Sequence, residues 1–290
     1  REEEKMNSLT KKRNSKQLLS SKKATKALLS SIAVKGEENN VPLPSTSDNI
    51  NKEKLKSELR EMEHFVGLDQ VLEARVVVDN IQKILNSSSC NSSNSNYDSV
   101  ISAEQRKVMN EVISESNDAK QLLFDMDNDD GWILASNKKN IIVHYRNEEG
   151  SPLQTVKTHT IFENSRSKEF VRLVAIMNEV QLMPNWFPKG IMKESDILAE
   201  PSKYSMVFRF TMSFGLLPIS PRDSVSFGKG FHLPHRNAVL IMSKPMTESK
   251  YCDIPPPQKG YVRIENRMAI FIQLLPNDRV LLCMIQFTDM

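Results

Sequence analysis

At 290 residues the chain is long enough for one large or two small domains, and 39% hydrophobic residues with 9 glycines indicate a globular part diluted by polar segments. The net charge of +3 has a local origin, because residues 5–36 hold nine Lys or Arg and no acid, and the acidic remainder argues against a nucleic-acid-binding body. The 3 cysteines show no CxxC spacing and no apolar run reaches ~18 residues, so no disulfide framework, zinc site, signal peptide or membrane span is indicated.

The N-terminal segment, residues 1–50, is basic and rich in Ser and Lys, and it ends in VPLPSTSDN, a composition typical of a disordered tail and linker. Leu18, Leu29 and Ile32 share one side of a helical wheel, but Lys22 interrupts that side. Three uses stay open: a solvated tail, contact with an anionic membrane surface, or nuclear import. The cysteine usage favours a reducing compartment, so we expect a cytoplasmic protein that is peripheral to membranes.

Residues 51–128 are predicted to be helical, because apolar residues recur at helical spacing, with Gly67 dividing the first two helices. A flexible connector rich in Ser and Asn follows over residues 86–99. Ser102 and Gln105 have the form of a capping box, which predicts that another helix begins there. We expect this region to be a small helical bundle or hairpin that contacts a protein partner.

After DMDNDDG the apolar pattern changes from helical spacing to short β-branched runs separated by turn residues. WILAS, NIIVHYR and LQTVKTHTIF are typical of antiparallel strands, and Ser167–Val180 returns to a helix with Phe170, Leu173, Val174 and Met177 on one face. Further strands are predicted at Tyr204–Met212, Ser224–Leu233, Ala238–Met242, Tyr261–Glu265, Met268–Leu274 and Val280–Phe287. The sequence therefore predicts an α+β fold with an antiparallel sheet of about eight or nine strands.

Motifs of phosphate-loop, dinucleotide-binding, serine-hydrolase and zincin proteins do not occur in the sequence. His232 and His235 stand three apart around a proline, a spacing that does not bring two imidazoles together in a strand end or turn. We therefore predict no metal, no cofactor and no catalytic residue. An enzyme would need a converging acid and base, for which His232 and Glu265 are the scattered candidates.

Methionine and one alternating strand bear on the choice between a packed core and a ligand cavity. The 14 methionines fit either ordinary core packing or a loosely filled cavity for a flexible apolar ligand. In SMVFRFTMSF, Met206 and Phe208 alternate with Arg209 and Thr211, so the two pairs lie on opposite faces of a strand. The sequence leaves open whether Arg209 faces solvent or the head group of a ligand.

Four motifs in the same order resemble the START domain, the lipid-transfer domain related to steroidogenic acute regulatory protein: DDGW, MPNWFP, ISPRDSVSF and PPPQKGYVRIE. The resemblance covers about residues 129–290. It implies a helix-grip fold, in which a curved antiparallel sheet encloses an apolar tunnel for one lipid. The family's long C-terminal helix would follow QFTDM, so we expect the tunnel to lack that cover.

The resemblance also assigns roles to individual residues. It implies that Trp132 anchors the first strand, that Trp186 packs at the end of the first internal helix, and that Arg222, Asp223 and Arg263 match family positions. The predicted lipid-binding residues are Arg209, Thr211, Ser226, His232, Arg222, Asp223, Arg263 and Trp186. For Arg222 and Asp223, a hydrogen-bonded structural corner and direct ligand contact both stay open.

The leading hypothesis is a non-catalytic lipid carrier, transfer or sensing protein that binds one sterol, phospholipid or sphingolipid and meets membrane surfaces transiently. The alternative is a membrane-tethering or signalling module that uses the helices of residues 51–128 and the basic tail. No nucleic-acid partner is expected.

Overall fold

The computed structural model describes residues 46–88, 100–150, 154–163, 167–213 and 220–288. The chain divides after Thr46 into two units, and the elements below belong to the second unit, apart from the first residue of α1. The helices are α1 Thr46–Gly67, α2 Val71–Ser88, α3 Ala103–Asp127, α4 Ser167–Asn178 and the short α5 Met183–Trp186. The strands are β1 Ile133–Lys138, β2 Ile141–Asn147, β3 Gln154–Phe162, β4 Met192–Ser202, β5 Ser205–Met212, β6 Arg222–Leu233, β7 Ala238–Pro245, β8 Val262–Arg263, β9 Asn266–Leu275 and β10 Arg279–Thr288. Single 3-10 turns lie at Val180–Leu182 and Pro234–Arg236.

The first three helices confirm that this part of the chain is helical, with two corrections of its bounds. α1 begins at Thr46, within the predicted linker, and α2 continues to Ser88, within the predicted connector, whose residues 89–99 lie outside those described. α1 ends at Gly67, and α3 begins directly after the predicted capping box. The Ser102 hydroxyl accepts a hydrogen bond from the Gln105 backbone N–H at 3.1 Å, and the Gln105 side chain accepts one from the Ser102 N–H at 3.0 Å. These bonds satisfy amides that the first turn of a helix leaves without partners. Among the described helices, none combines the length and apolarity needed to cross a membrane.

The strands form one ten-stranded sheet with the order β1-β2-β3-β10-β9-β7-β6-β5-β4, to which β8 adds by pairing with β6. Every neighbouring pair along this order is antiparallel, as predicted, while β8 runs parallel to β6. The α+β prediction is therefore confirmed. β4 and the parallel pair are additions that the sequence did not indicate.

Alternation of side chains gives the sheet two faces that serve different purposes. The helix face is the one covered by α1–α3, where Phe231 and Phe271 share a buried cluster with Leu59. The pocket face is the opposite one, where Ile241 and Ile270 lie under α4. Burying a side chain such as Phe271 stabilises the fold by about 1.5–3 kcal/mol, so the packing of three helices on the helix face is a main source of stability.

A buried lysine ties the end of α3 to the sheet. Lys157 of β3 is 0% exposed, and its ammonium donates to the backbone oxygens of Asp125 at 3.1 Å and Asn128 at 2.7 Å and to the Asp129 carboxylate at 2.6 Å. The same ammonium lies 4.7 Å from the centre of the Trp132 ring. The hydrogen bond from Lys157 holds the pKa of Asp129 below its usual range.

Further charge pairs fix α3 over the helix face. Lys229 donates to Glu115 at 2.8 Å, and the Arg236 guanidinium donates two parallel hydrogen bonds to Asp127 at 2.9 and 2.7 Å. In each pair the acid belongs to α3 and the base belongs to the sheet or to the turn that follows β6. Such two-point contacts fix orientation as well as distance, so α3 is held in register with the sheet.

Candidate functional site

A cavity of about 570 Å³ lies between α4 and the pocket face of the sheet. Its apolar lining includes Val174, Met177, Met183, Phe208, Ile241 and Ile270. α4 covers it because its apolar stripe, with Phe170, Leu173 and Met177, packs against Ile270 and Ile272 of β9. The predicted apolar face of this helix is therefore confirmed, and it forms one wall of the cavity.

Two glycines of β6 leave part of the cavity floor as bare backbone. Gly228 and Gly230 lie on the pocket face, and both line the cavity. A Cβ atom added at Gly228 would lie 3.1 Å from the Phe208 ring, and one at Gly230 would lie 3.8 Å from the Tyr204 carbonyl oxygen. Larger side chains at these positions would extend into the space above the strand, so the glycines create volume that a ligand could occupy.

The methionines divide between the two roles that the sequence left open. Met177, Met183, Met206 and Met268 line the cavity. Others lie in packed clusters, as Met242 does beneath the three helices. Because an unbranched thioether side chain adapts to irregular shapes, the methionine-lined wall can adjust to a flexible apolar ligand.

Polar groups are few in the described lining, and apart from Asn178, which is exposed at the end of α4, and Lys229, they lie at two ends of the cavity. At one end are His232, Tyr204 and Lys203, all exposed, and the Lys203 ammonium lies 5.3 Å from the centre of the Tyr204 ring. At the other end is Ser243, which is 7% exposed, and its hydroxyl has no hydrogen-bond partner within the described residues. Lys229 also contributes to the lining, but its ammonium lies on the helix face with Glu115.

The lining contains no Asp or Glu within the part of the chain that the structure describes. Glu265, the carboxylate suggested beside His232, is exposed and is not among the described lining residues, so that acid–base pair does not come together there. Among the described residues, no group of three or more His, Cys, Asp or Glu is placed to hold a metal. The described lining can bury an apolar molecule, and its titratable groups at the exposed end are Lys203, Tyr204 and His232.

The Arg-Asp motif forms a structural corner at the start of β6. Asp223 is 0% exposed and accepts hydrogen bonds from Arg209 of β5, at 2.7 Å, and from Arg263 of β8. Arg263 also donates to the Pro255 carbonyl oxygen at 2.8 Å. Asp223 and Arg209 lie on the face opposite Phe208, so one buried carboxylate joins three strands outside the cavity.

The other predicted residues lie in separate places. His232 lines the cavity, while Ser226 is buried on the pocket face, outside the described lining, with its hydroxyl 3.5 Å from that of Ser224. Thr211 is buried beside Asp223, opposite it in the β5–β6 register. Ligand contact stays a prediction for each of these side chains.

Arg222 and Trp186 complete the predicted set. Arg222 is half-buried and donates to the Ser220 carbonyl oxygen at 3.1 Å. Trp186 is the last residue of α5, where it is 39% exposed and lies 5.1 Å from Phe187 between ring centres. Neither residue is among those that line the cavity in the described structure.

Sequence reasoning missed Gly228, Gly230 and Ser243. The pair of glycines in FGKGF was a usable signal, because glycine inside a strand often marks a close approach of another group. Ser243 follows Val239 and Ile241 at a spacing of two, which places a hydroxyl on an otherwise apolar face. That pattern could have identified it only if the pocket face had been known.

Comparison with known proteins gives matches among solved structures, whereas no family model and no curated protein matches the sequence. Human StAR-related lipid transfer protein 5 matches with a TM-score of 0.50 and 19% identity, over 61% of this chain and 80% of that chain. Human STARD10 matches with a TM-score of 0.49 and 16% identity, over 59% of this chain and 65% of that chain, so this chain spans less than two thirds of it. A lipid transfer protein fragment from Xanthomonas axonopodis matches with a TM-score of 0.45 and 22% identity, over 54% and 80% of the two chains. The likeness concerns the fold, and the START-like fold predicted from the motifs is confirmed.

Proposed function

We propose that this protein binds one lipid in the cavity beneath α4 and acts as a lipid carrier, transfer or sensing protein. The observation that carries the proposal is the cavity itself, about 570 Å³ in volume and lined mainly by apolar and methionine side chains. Pockets of roughly 300–1,000 Å³ hold ligands of small-molecule size. An apolar ligand that buries on the order of 300 Å² there would gain roughly 7 kcal/mol before the entropy of binding is subtracted.

Two further observations support this proposal over an enzymatic function. The described lining holds no carboxylate, so the acid–base pair considered from the sequence, His232 with Glu265, is not assembled there. Solved structures with a similar fold include two named as lipid transfer proteins, from human and from Xanthomonas axonopodis. Which lipid class is bound, a sterol, a phospholipid or a sphingolipid, is left to experiment.

Membrane contact forms part of the proposal because exposed apolar residues lie on and beside the helix that forms one wall of the cavity. Val171 of α4 lines the cavity and is 63% exposed, and Ile176, Leu182 and Trp186 are exposed on the same connected segment. Exposed apolar residues with a tryptophan are typical of segments that insert into the interfacial region of a bilayer. We propose a cytoplasmic location, peripheral to membranes, because 3 widely spaced cysteines favour a reducing compartment.

The test is lipid analysis of the purified protein combined with extraction of lipid from vesicles. Mass spectrometry of organic extracts should find a defined lipid near one molecule per protein. Gly230→Leu, which fills the cavity floor, should lower the retained lipid by roughly tenfold. Gly67→Leu is the matched control, because a Cβ atom there meets nothing within 4 Å and the residue is exposed at the end of α1.

The outcome that would overturn the proposal is a folded wild-type protein that retains no lipid and extracts none from vesicles. The alternative, a membrane-tethering or signalling module, would then lead. Its basic tail lies outside the described residues, and the apolar sides of α1–α3 pack on the sheet, so a protein partner would have to contact their outward sides. It predicts salt-sensitive vesicle binding that is lost when residues 1–36 are removed.

A further inference from the structure

Ser243 occupies a distinct position on the pocket face. It belongs to β7, where Val239 and Ile241 precede it on the same face, and it lies between Gly228 of β6 and Met268 of β9 in the strand register. Its neighbours across both strands therefore offer its hydroxyl no polar side chain. Within the described residues the hydroxyl oxygen is buried and has no hydrogen-bond partner.

A buried hydroxyl without a partner destabilises a folded protein, so such a group is expected to be satisfied in the functional state. The hydroxyl of Ser226 differs, because it lies 3.5 Å from that of Ser224. Ser243 lines the cavity directly, whereas Ser226 is not among the described lining residues. Ser243 also borders a second cavity of about 430 Å³ that lies beside α3. Because its side chain is on the same face of β7 as Val239 and Ile241, the missing hydrogen bond can be supplied from the cavity under α4.

The charges around this end of the cavity restrict the partner. Lys229, the nearest charged lining residue in the register, directs its ammonium to Glu115 and Asp69 on the helix face. Lys244, the next residue along β7, alternates to the helix face as well, with its ammonium 3.8 Å from Asp118. Arg267, which precedes Met268 on β9, also alternates to the helix face and is 64% exposed, with its guanidinium 4.0 Å from Glu265. An ionised group bound at Ser243 would be buried without a counter-ion, which strongly disfavours a carboxylate or a phosphate.

The cavity also has a buried end and an exposed end, which lie apart along the direction of the strands. In the β6–β7 register Ser243 pairs with Gly228 and Val239 pairs with His232, so the buried serine and the exposed histidine stand four residues apart along the strands. At about 3.3 Å per residue this is roughly 13 Å. A ligand with an apolar body can therefore place one polar end at Ser243 and leave the other end near His232 at the exposed side.

We propose that the Ser243 hydroxyl anchors an uncharged hydroxyl or carbonyl group at the buried end of the bound ligand. This inference rests on the proposed function, because it assigns a specificity-determining residue to the same cavity. It places the ligand's apolar body over Gly228 and Gly230 and directs any charged group towards the exposed end, where Lys203 and His232 lie.

The experiment uses three matched probes, dodecan-1-ol, dodecane and dodecanoate, which compete with Nile red for the full-length protein at a pH where dodecanoate is ionised. Wild-type protein should prefer dodecan-1-ol over the other two. Ser243→Ala should weaken dodecan-1-ol by roughly 2- to 10-fold, the effect of losing one hydrogen bond, and leave dodecane unchanged. Ser195→Ala is the matched control and should keep the wild-type preference, because the Ser195 hydroxyl is also buried without a partner among the described residues but does not line the cavity.

A second measurement separates anchoring from a structural role. Ligand-free Ser243→Ala should unfold at the same temperature as wild type or higher, since it removes an unsatisfied buried hydroxyl, while it binds the alcohol more weakly. The proposed Ser243 anchor is overturned if dodecan-1-ol binds and Ser243→Ala leaves the preference for the alcohol intact, or if Ser195→Ala is the variant that loses it. If folded wild-type protein binds neither Nile red nor any probe, the lipid-binding proposal fails, and the anchor fails with it.

Discussion

Replacing Asp223 by asparagine should lower the free energy of unfolding. This loss should be larger than any loss in the free energy of ligand binding. The substitution keeps the side-chain size but leaves the Arg209 and Arg263 guanidinium groups, whose side chains are 15% and 25% exposed, without their shared carboxylate. Breaking a buried ion pair in this way lowers the free energy of unfolding by roughly 3–5 kcal/mol. We expect a value near 3 kcal/mol, because both arginines reach water in part. This loss corresponds to a fall of about 6–12 °C in the unfolding temperature.

Urea and thermal unfolding of Asp223→Asn would measure this loss, with Asp118→Asn as a matched control. The Asp118–Lys244 pair is about half exposed on both sides, so its loss should change the free energy of unfolding by less than ~1 kcal/mol. A loss at Asp223 no larger than that of the control would refute the structural corner. If stability were kept but lipid binding fell, the direct-contact reading of the Arg-Asp motif would replace it.

Two further predictions concern titratable groups on the helix side of the sheet. Burial lowers the pKa of His159 below its usual value, so the folded state favours the neutral imidazole. The contribution of His159 to the free energy of unfolding is fully present above the unfolded pKa of about 6.5, and it is lost as the pH falls through the folded pKa. His159→Gln should therefore flatten the acid side of a plot of unfolding free energy against pH, and parallel curves would contradict this. Burial raises the pKa of the Cys283 thiol to about 11. Iodoacetamide should then label the half-buried Cys252 in native protein and reach Cys283 only on unfolding, as peptide mass spectrometry would show; equal rates would argue against the described packing.

The helices and most strands were predictable because their signals are local. The capping box at Ser102 and the alternation in β5 depend on residues a few positions apart, and both were confirmed. β4 was missed because Met192–Ser202 mixes charged residues with a proline, and as an edge strand it pairs with β5 through three register shifts. An edge strand does not need an apolar alternation to hold its place.

The candidate site was less predictable, since it depends on which face of the sheet holds the cavity. Alternation correctly placed Arg209 and Phe208 on opposite faces of β5, but it could not show which of the two faces borders the cavity. That direction is set by α4, which covers one face from a distant part of the sequence. His232, named from the sequence, lies in the cavity lining, while identifying Ser243 required knowledge of the face on which α4 packs.

The buried Lys157 links two events in the assembly of the protein. Its acceptors, the backbone oxygens of Asp125 and Asn128 and the carboxylate of Asp129, all belong to the end of α3 and the residues that follow it. If β3 were packed before that helix end arrived, the ammonium would lose its hydration without gaining these partners. The last turn of α3 and strand β3 should therefore close and open as one cooperative unit. Native-state hydrogen exchange should show the same opening free energy for both, and separate values would show that they move independently.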